Sequence, residues 1–151
     1  MPTSEFSLID RYFAAHGPHR PDVALGIGDD CALLIPPTGQ QLVVTMDTLV
    51  SGVQLFAHAD PEGLGHKALA VNLSDLAAMG ATPAWTTLAL TLPKADEDWL
   101  ERFCRGLFAL ADRYGVQLVG GDTTHGPTTV ITIQAHGWVP PGLALRRDGA
   151  R

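Results

Sequence analysis

Five acids, at four places in the sequence, have the residue types and neighbours expected of a metal site. Asp29 and Asp30 are adjacent carboxylates that follow two glycines, and Asp47 is flanked by threonine hydroxyls. Asp75 occurs in an otherwise apolar run, and Asp122 comes directly after a pair of glycines. Carboxylate and hydroxyl oxygens are the preferred ligands of Mg²⁺ and Ca²⁺, whereas zinc sites use His and Cys. The pattern therefore favours a hard divalent cation.

Asp75 is the most informative of these acids. Asn72 and Asp75 are three residues apart and so share one helix face. We expect the Asp75 carboxylate to need a partner, because an unpaired charge in an apolar environment is costly. The nearest cation in the sequence, Lys67, is eight residues back, which is about 80° round a helix. A metal ion would satisfy Asp75 better.

Each of these acids also has a structural explanation. Asp29 and Asp30 could be turn residues, Asp75 could be a capped or salt-bridged acid, and a Gly-Gly-Asp string is common in turns. If the carboxylates do converge, two unit charges 4 Å apart repel by about 4 kcal/mol at an effective dielectric constant near 20. A converged site would therefore need cations.

The sequence carries none of the common phosphate-loop or nucleophile motifs. It has no Walker-type loop, no Gly-x-Ser-x-Gly elbow and no Gly-x-Gly-x-x-Gly string. Clustered carboxylates, glycines and threonine hydroxyls nevertheless suit Mg²⁺-bound phosphates, because glycine N–H groups can approach phosphate oxygens closely. Spacing alone thus indicates an α/β domain with a candidate Mg²⁺ site.

The elements that must position these side chains alternate between helices and strands. Helical periodicity and capping signals predict three helices, at Glu5–Ala15, from Asp60 to about Met79, and at Asp96–Tyr114. Apolar and β-branched runs predict five strands, at Cys31–Ile35, Gln41–Leu49, Ala84–Leu92, Val116–Val119 and Thr128–Val139. We expect the first two strands to form a hairpin. The fold class is an α/β sandwich, with helices covering at least one face of the sheet.

Composition is that of one globular domain. The chain has 151 residues, 46% hydrophobic and 17% charged, with a net charge of -6. The acidic balance argues against nucleic acid or anionic membranes as partners. Cys31 and Cys104 show no disulfide or zinc spacing and are predicted to be small buried residues of a reducing compartment. Without a signal peptide or a membrane-length apolar run, a cytoplasmic location is expected.

Several strings, taken in order and spacing, resemble thiamine-monophosphate kinases. The strings are Leu25–Ala32, Asp47–Val50, Lys67–Ala81 and Gly120–Thr124, with Glu5–Ile9 and Gly137–Pro140 also fitting. This family is related to aminoimidazole-ribonucleotide (AIR) synthetase, selenophosphate synthetase and a hydrogenase-maturation protein. The resemblance implies a domain like the N-terminal domain of AIR synthetase, with a mixed β-sheet, helices on one face and a sheet that pairs with a second subunit.

The resemblance also implies an activity and a set of site residues. The family transfers the γ-phosphoryl group of ATP directly to thiamine monophosphate, with several Mg²⁺ ions and no catalytic side chain acting as nucleophile or base. Matched positions imply Asp30, Thr45, Asp47, Asp75 and Asp122 as metal ligands. They imply Gly121 and Asp122 as nucleotide-phosphate contacts, Arg146 as a nucleotide contact and Gln54 as a substrate contact.

The sequence departs from the family pattern at three positions and in length. Met46 replaces a threonine, Gln54 replaces a substrate-binding histidine, and His125 replaces an arginine. Family members continue into a second domain of similar size. We therefore expect residues 1–140 to form the ATP- and Mg²⁺-binding domain and residues 141–151 to begin a linker to a C-terminal domain absent from this chain.

Three functional hypotheses follow. The chain could supply the Mg²⁺- and ATP-binding half of the kinase, inactive alone. It could instead be a dimerisation module, or degenerate copy, that has lost catalysis. A related ATP-dependent synthetase with another acceptor is the third, although the Lys67–Ala81 string favours the thiamine enzyme.

Overall fold

A computed structural model describes residues 8–53 and 58–149 of the chain. Six strands and two long helices make up most of it. In chain order they are β1 (Val23–Leu25), β2 (Leu33–Leu34), β3 (Gln41–Val50), α1 (Pro61–Ala78), β4 (Thr82–Leu92), α2 (Glu97–Tyr114), β5 (Gln117–His125) and β6 (Val130–Val139). A π-helical segment, Ile9–Ala14, precedes them, and a 3₁₀ turn, Arg147–Gly149, follows.

Four of the strands form one mixed sheet in the order β3-β6-β4-β5. The β3–β6 and β6–β4 pairs are antiparallel, whereas β4 and β5 are parallel. The parallel pair is connected through α2, as parallel neighbours require a crossover. β3 and β5 are the two edges of the sheet. The expectation of a mixed α/β fold is confirmed.

Local capping signals set the helix boundaries. The Asp60 carboxylate accepts a hydrogen bond from the Gly63 N–H at 2.9 Å, and Asp96 accepts one from the Trp99 N–H at 3.1 Å. Each bond satisfies an N–H that the first helical turn would leave unpaired. α2 ends at Gly115, whose φ of 64° is easily adopted only without a Cβ. The predicted start of α1 and both ends of α2 are therefore confirmed.

The two helices cross in close contact on one face of the sheet, which we call the helix face. A Cβ on Gly65 would lie 2.0 Å from the Phe103 carbonyl oxygen, and one on Gly106 would lie 1.9 Å from that of Glu62. Only glycine permits this backbone approach. The main core fills the space beneath, with Leu69, Phe103, Leu107, Ile131 and Ile133 among its most buried side chains.

The opposite face of the sheet, the open face, is covered only in part. At one end the β1–β2 hairpin packs Val23 and Leu34 against Trp85 and Trp138, whose rings meet edge to face at 5.5 Å. Farther along β3, apolar side chains remain exposed. Among the described residues these include Leu42 at 51%, Val44 at 49% and Met46 at 63%.

The structure corrects three predictions. β2 pairs with β1 and not with β3, which is instead the antiparallel neighbour of β6, so the predicted hairpin is wrong. The strand predicted to end at Val119 continues through both glycines to His125. Cys104 is buried as expected, but Cys31 is exposed.

The structure also describes part of the predicted N-terminal helix, and its helices can be compared with the length needed to cross a membrane. Only the part of the predicted helix Glu5–Ala15 from residue 8 onward falls in the described range, and it is π-helical from Ile9 to Ala14. No helix of residues 8–53 and 58–149 is both long and apolar enough to cross a membrane.

Candidate functional site

One group of candidate ligands lies between β3 and α1, at one edge of the sheet. The Thr45 hydroxyl donates a hydrogen bond to the Asp75 carboxylate at 2.9 Å. Because side chains alternate along a strand, Thr45 and Asp47 point to the same face, toward the helices. Both are partly buried, and Asp75 is exposed. Thr45, Asp47 and Asp75 thus lie on one side of the sheet, near α1.

The premise that Asp75 is a buried carboxylate is wrong. Asp75 lies at the exposed margin of α1, and the buried polar residue of that helix is Asn72, which is fully inaccessible. Its amide nitrogen donates to the Ala68 carbonyl at 3.0 Å, while its Oδ1 has no hydrogen-bond partner among the described residues. Leu69 and Leu76 face the core, whereas Ala77 and Ala78 beside Asp75 are exposed.

A second group lies at the opposite edge, where β5 meets the loop before β2. Asp29, Asp30 and Asp122 line one open pocket of about 770 Å³ together with Gly121. The Asp29 carboxylate accepts the Asp30 N–H at 2.8 Å. Asp30 and Asp122 are both exposed. Their side chains are free to bind a ligand in this pocket.

The two groups are separated within one chain. β3 and β5 are three strand spacings apart, or about 14 Å at 4.8 Å per spacing. Thr45 and Asp47 face the helices. Asp122 lies beside the exposed Ala89 and faces the open side. In the described parts of the chain, no group of three or more His, Cys, Asp or Glu side chains is close enough to hold a metal ion.

The ion pairs recorded for the described residues do not involve these acids. Within residues 8–53 and 58–149, no Lys or Arg forms an ion pair with Asp30, Asp47, Asp75 or Asp122. The ion pairs among the described residues use other acids, as in Arg20–Asp22 and Arg102–Asp60. The donor set at both edges is hard oxygen, which fits Mg²⁺ better than zinc.

The remaining predicted residues are dispersed. Arg146 is exposed and pairs with Asp148 at 2.8 Å. It follows Leu145, whose N–H donates to the Met79 carbonyl at the end of α1. Gln54 lies outside the described residues. Met46 points to the open face, away from Thr45 and Asp47, and His125 is the exposed last residue of β5.

Two residues at the pocket were missed by the sequence analysis. Asp10, on the π-helical segment, and the exposed Cys31 both line the pocket that holds Asp30 and Asp122. Asp10 has no glycine or hydroxyl neighbours to mark it, and only the tertiary packing of the N-terminal segment brings it here. No feature of the sequence could have identified it.

Comparison with known proteins identifies the domain. Residues 28–139 match the family model described as AIR synthase related protein, N-terminal domain. The chain is 58% identical over its whole length to the thiamine-monophosphate kinase of Salmonella typhimurium, covering 46% of that protein. It therefore spans about half the length of the curated relatives it matches.

Solved structures agree with the fold. The crystal structure of thiamine-monophosphate kinase from Stenotrophomonas maltophilia matches the whole chain with a TM-score of 0.86 and 56% identity, over 47% of that chain. A structure described as AaThiL complexed with AMPPCP and TMP matches 97% of the chain, and 45% of its own, with a TM-score of 0.71 and 29% identity. On these matches, the chain belongs to the family of AIR synthase related proteins and corresponds to their N-terminal domain.

Proposed function

We propose that this chain supplies the Mg²⁺- and ATP-binding half of a thiamine-monophosphate kinase, which transfers the γ-phosphoryl group of ATP directly to the phosphate of thiamine monophosphate. The observation that carries the proposal is the pocket where Asp30 and Asp122 lie beside Gly121. The relatives named for this activity support it, as does the related structure that holds AMPPCP, an ATP analogue, with TMP.

The donor set accounts for the chemistry. Asp30 and Asp122 would hold Mg²⁺ at the pocket, and Thr45, Asp47 and Asp75 would hold it at the other edge. Bound Mg²⁺ would neutralise the charge of the phosphate oxygens. β5 is an edge strand within the described part of the chain, so N–H groups on its outer side face no strand there and can donate to phosphate. Phosphoryl transfer depends mainly on positioning and charge neutralisation, which is consistent with a site that lacks a nucleophile.

The proposal extends to assembly and location. The exposed apolar side chains Leu42, Val44 and Met46 on the open face support a homodimer formed through the sheet. Residues 1–140 are proposed as the functional domain and the segment from 141 as a linker, with Arg146 and Gln54 contacting nucleotide and substrate. A biosynthetic kinase of this kind would act in the cytoplasm.

The exposed open face also supports a second candidate function, a dimerisation module without catalysis. The two are separated by joining this chain to the remaining part of the Salmonella relative and assaying thiamine diphosphate formation with ATP, Mg²⁺ and thiamine monophosphate. The kinase proposal expects product from the joined protein and none from either part alone. A folded, dimeric joined protein that makes no product would favour the dimerisation module.

A further inference from the structure

Just before the candidate ligand Asp122, β5 contains one residue more than the neighbouring stretch of β4. This extra residue determines which face of the sheet Asp122 occupies. Up to Thr86 the parallel register of β4 and β5 is regular, with Thr86 opposite Leu118. Thr87 then faces Gly120 and not Val119, so the register shifts by one residue. This is a β-bulge, in which two residues of one strand lie opposite one residue of its neighbour.

The bulge determines which face Asp122 occupies. With the shift, Asp122 lies opposite the exposed Ala89. In an unshifted register, counting four residues on from the Thr86–Leu118 pair, Asp122 would lie opposite Leu90, which is 1% exposed and belongs to the main core. A slip of one residue moves a side chain to the other face of a sheet. The carboxylate would then be buried among apolar side chains, at a large cost.

Gly121 makes the bulge possible. Its φ is +156°, and a Cβ at this position would lie 1.8 Å from the carbonyl oxygen of Leu88. That neighbour is backbone in the middle of a strand and cannot move aside without breaking the β4–β5 pairing. The adjacent Gly120 differs, since a Cβ there would meet nothing within 4 Å. The two glycines therefore have different roles.

We infer that Gly121 and the β-bulge before it are a positioning device that turns the Asp122 carboxylate out of the core and into the metal- and nucleotide-binding pocket. The functional meaning of this inference rests on the proposed function, whereas the orientation of residue 122 can be measured independently. Gly121 acts here through the strand pairing, in addition to any contact of its N–H with phosphate.

Thiol labelling measures the orientation directly. In a Cys31→Ser background, cysteine is placed at position 122 or 123 and the rate of maleimide labelling is compared. Cys104 does not interfere, because burial raises its pKa to about 12. We expect position 122 to label at least tenfold faster than 123. Adding Gly121→Ala should reduce that ratio at least tenfold, and adding Gly120→Ala should leave it unchanged. An unchanged ratio with Gly121→Ala would overturn the inference.

Deletion of Gly120 provides a rescue test, including the case in which Gly121→Ala fails to fold. The deletion removes the extra residue, so β5 can pair regularly with Asp122 still opposite Ala89. Alanine at position 121 should then be tolerated, and the combined variant should regain folding and the labelling ratio. If the deletion does not restore them, the bulge is not the reason that glycine is needed.

Mn²⁺ binding, measured by electron paramagnetic resonance in chains that retain Asp122, connects the orientation of this residue to function. Gly121→Ala should weaken the binding at least tenfold, Gly120→Ala should not, and the combined deletion variant should recover it. Equal labelling of positions 122 and 123 when Gly121 is present, or a ratio that Gly121→Ala leaves unchanged, contradicts the positioning inference. Absence of Mn²⁺ binding by the unmodified chain, with the labelling difference intact, contradicts the proposed metal site alone.

Discussion

The two faces of the sheet differ in how completely other parts of the same chain cover them. On the helix face, α1 and α2 cover a core in which Leu69, Phe103 and Ile133 are almost fully buried. On the open face, the β1–β2 hairpin covers one end only, and Met46 remains 63% exposed. Stability is therefore concentrated on one side of the sheet. The other side leaves the apolar surface and the Asp122 carboxylate exposed.

The largest effect is expected on the helix face. Gly65→Ala places a methyl group against the Phe103 carbonyl, so the helices must separate. We predict a loss of unfolding free energy of about 3 kcal/mol, the upper end of the usual cost of overpacking. Urea unfolding measures it.

Gly63→Ala is the matched control, because its Cβ would make an ordinary 3.6 Å contact with the Asp60 carboxylate. This change should be neutral or stabilise the helix by up to about 1 kcal/mol. Equal stabilities for the two alanine variants would show that the close helix crossing is not a constraint.

The open face should govern association and not folding. Met46→Lys places an ammonium group on the exposed apolar surface, at its most exposed β3 residue. We predict that it weakens the proposed dimer about 100-fold, or about 2.8 kcal/mol, because the charge would lose its hydration on association. Sedimentation equilibrium measures the dissociation constant.

Tyr114→Lys is the control for this surface. Tyr114 is also exposed, at 49%, but lies at the end of α2 on the other side of the sheet. If both lysine variants, or neither, change the oligomeric state, the open face is not the dimer interface.

A smaller effect is expected where the hairpin end of the open face is anchored. Asp22 accepts two hydrogen bonds from the Arg20 guanidinium, at 2.9 and 2.7 Å, and one from the Trp85 indole at 3.0 Å. The Arg20 bonds are the main reason that the pKa of Asp22 is lowered, although desolvation opposes them. Asp22→Asn should therefore cost about 2 kcal/mol at neutral pH.

The sign of the pH dependence follows from the lowered pKa. The stabilisation by Asp22 is present above the ordinary value of 3.8 and is lost as the pH falls through the folded-state pKa. The difference between wild type and Asp22→Asn should be full at pH 7 and smaller near pH 3. Urea unfolding at both pH values measures it, and a difference independent of pH would contradict the role of the ionised carboxylate.

Sequence reasoning succeeded where the determining interactions are local. Asp60 and Asp96 cap their own helices, and Gly115 ends α2, so these boundaries were readable from a few adjacent residues. The family strings supplied the candidate acids along the chain. Neither the local signals nor the family strings could show which acids would face each other, because that depends on the order of the strands in the sheet.

The errors concern interactions between distant segments. The pairing of β2 with β1 depends on packing against Trp85 and Trp138, far along the chain. Gly120 and Gly121 resemble a turn, but they form a bulge inside β5 because β4 continues beside them. The apolar neighbours of Asp75 suggest a buried carboxylate, yet of Leu73, Leu76, Ala77 and Ala78 only Leu76 is buried, and Asp75 is exposed.

The central claim is that these acids hold Mg²⁺ for a nucleotide, and calorimetric titration with AMPPCP tests it most directly. Wild type, Asp122→Asn, Asp75→Asn and the control Asp112→Asn, an exposed acid on α2, are compared with and without Mg²⁺. The account predicts that AMPPCP binding requires Mg²⁺. The affinity should be at least tenfold weaker in Asp122→Asn and Asp75→Asn and unchanged in Asp112→Asn. Equal affinity in all four chains, or binding that persists without Mg²⁺, would contradict it.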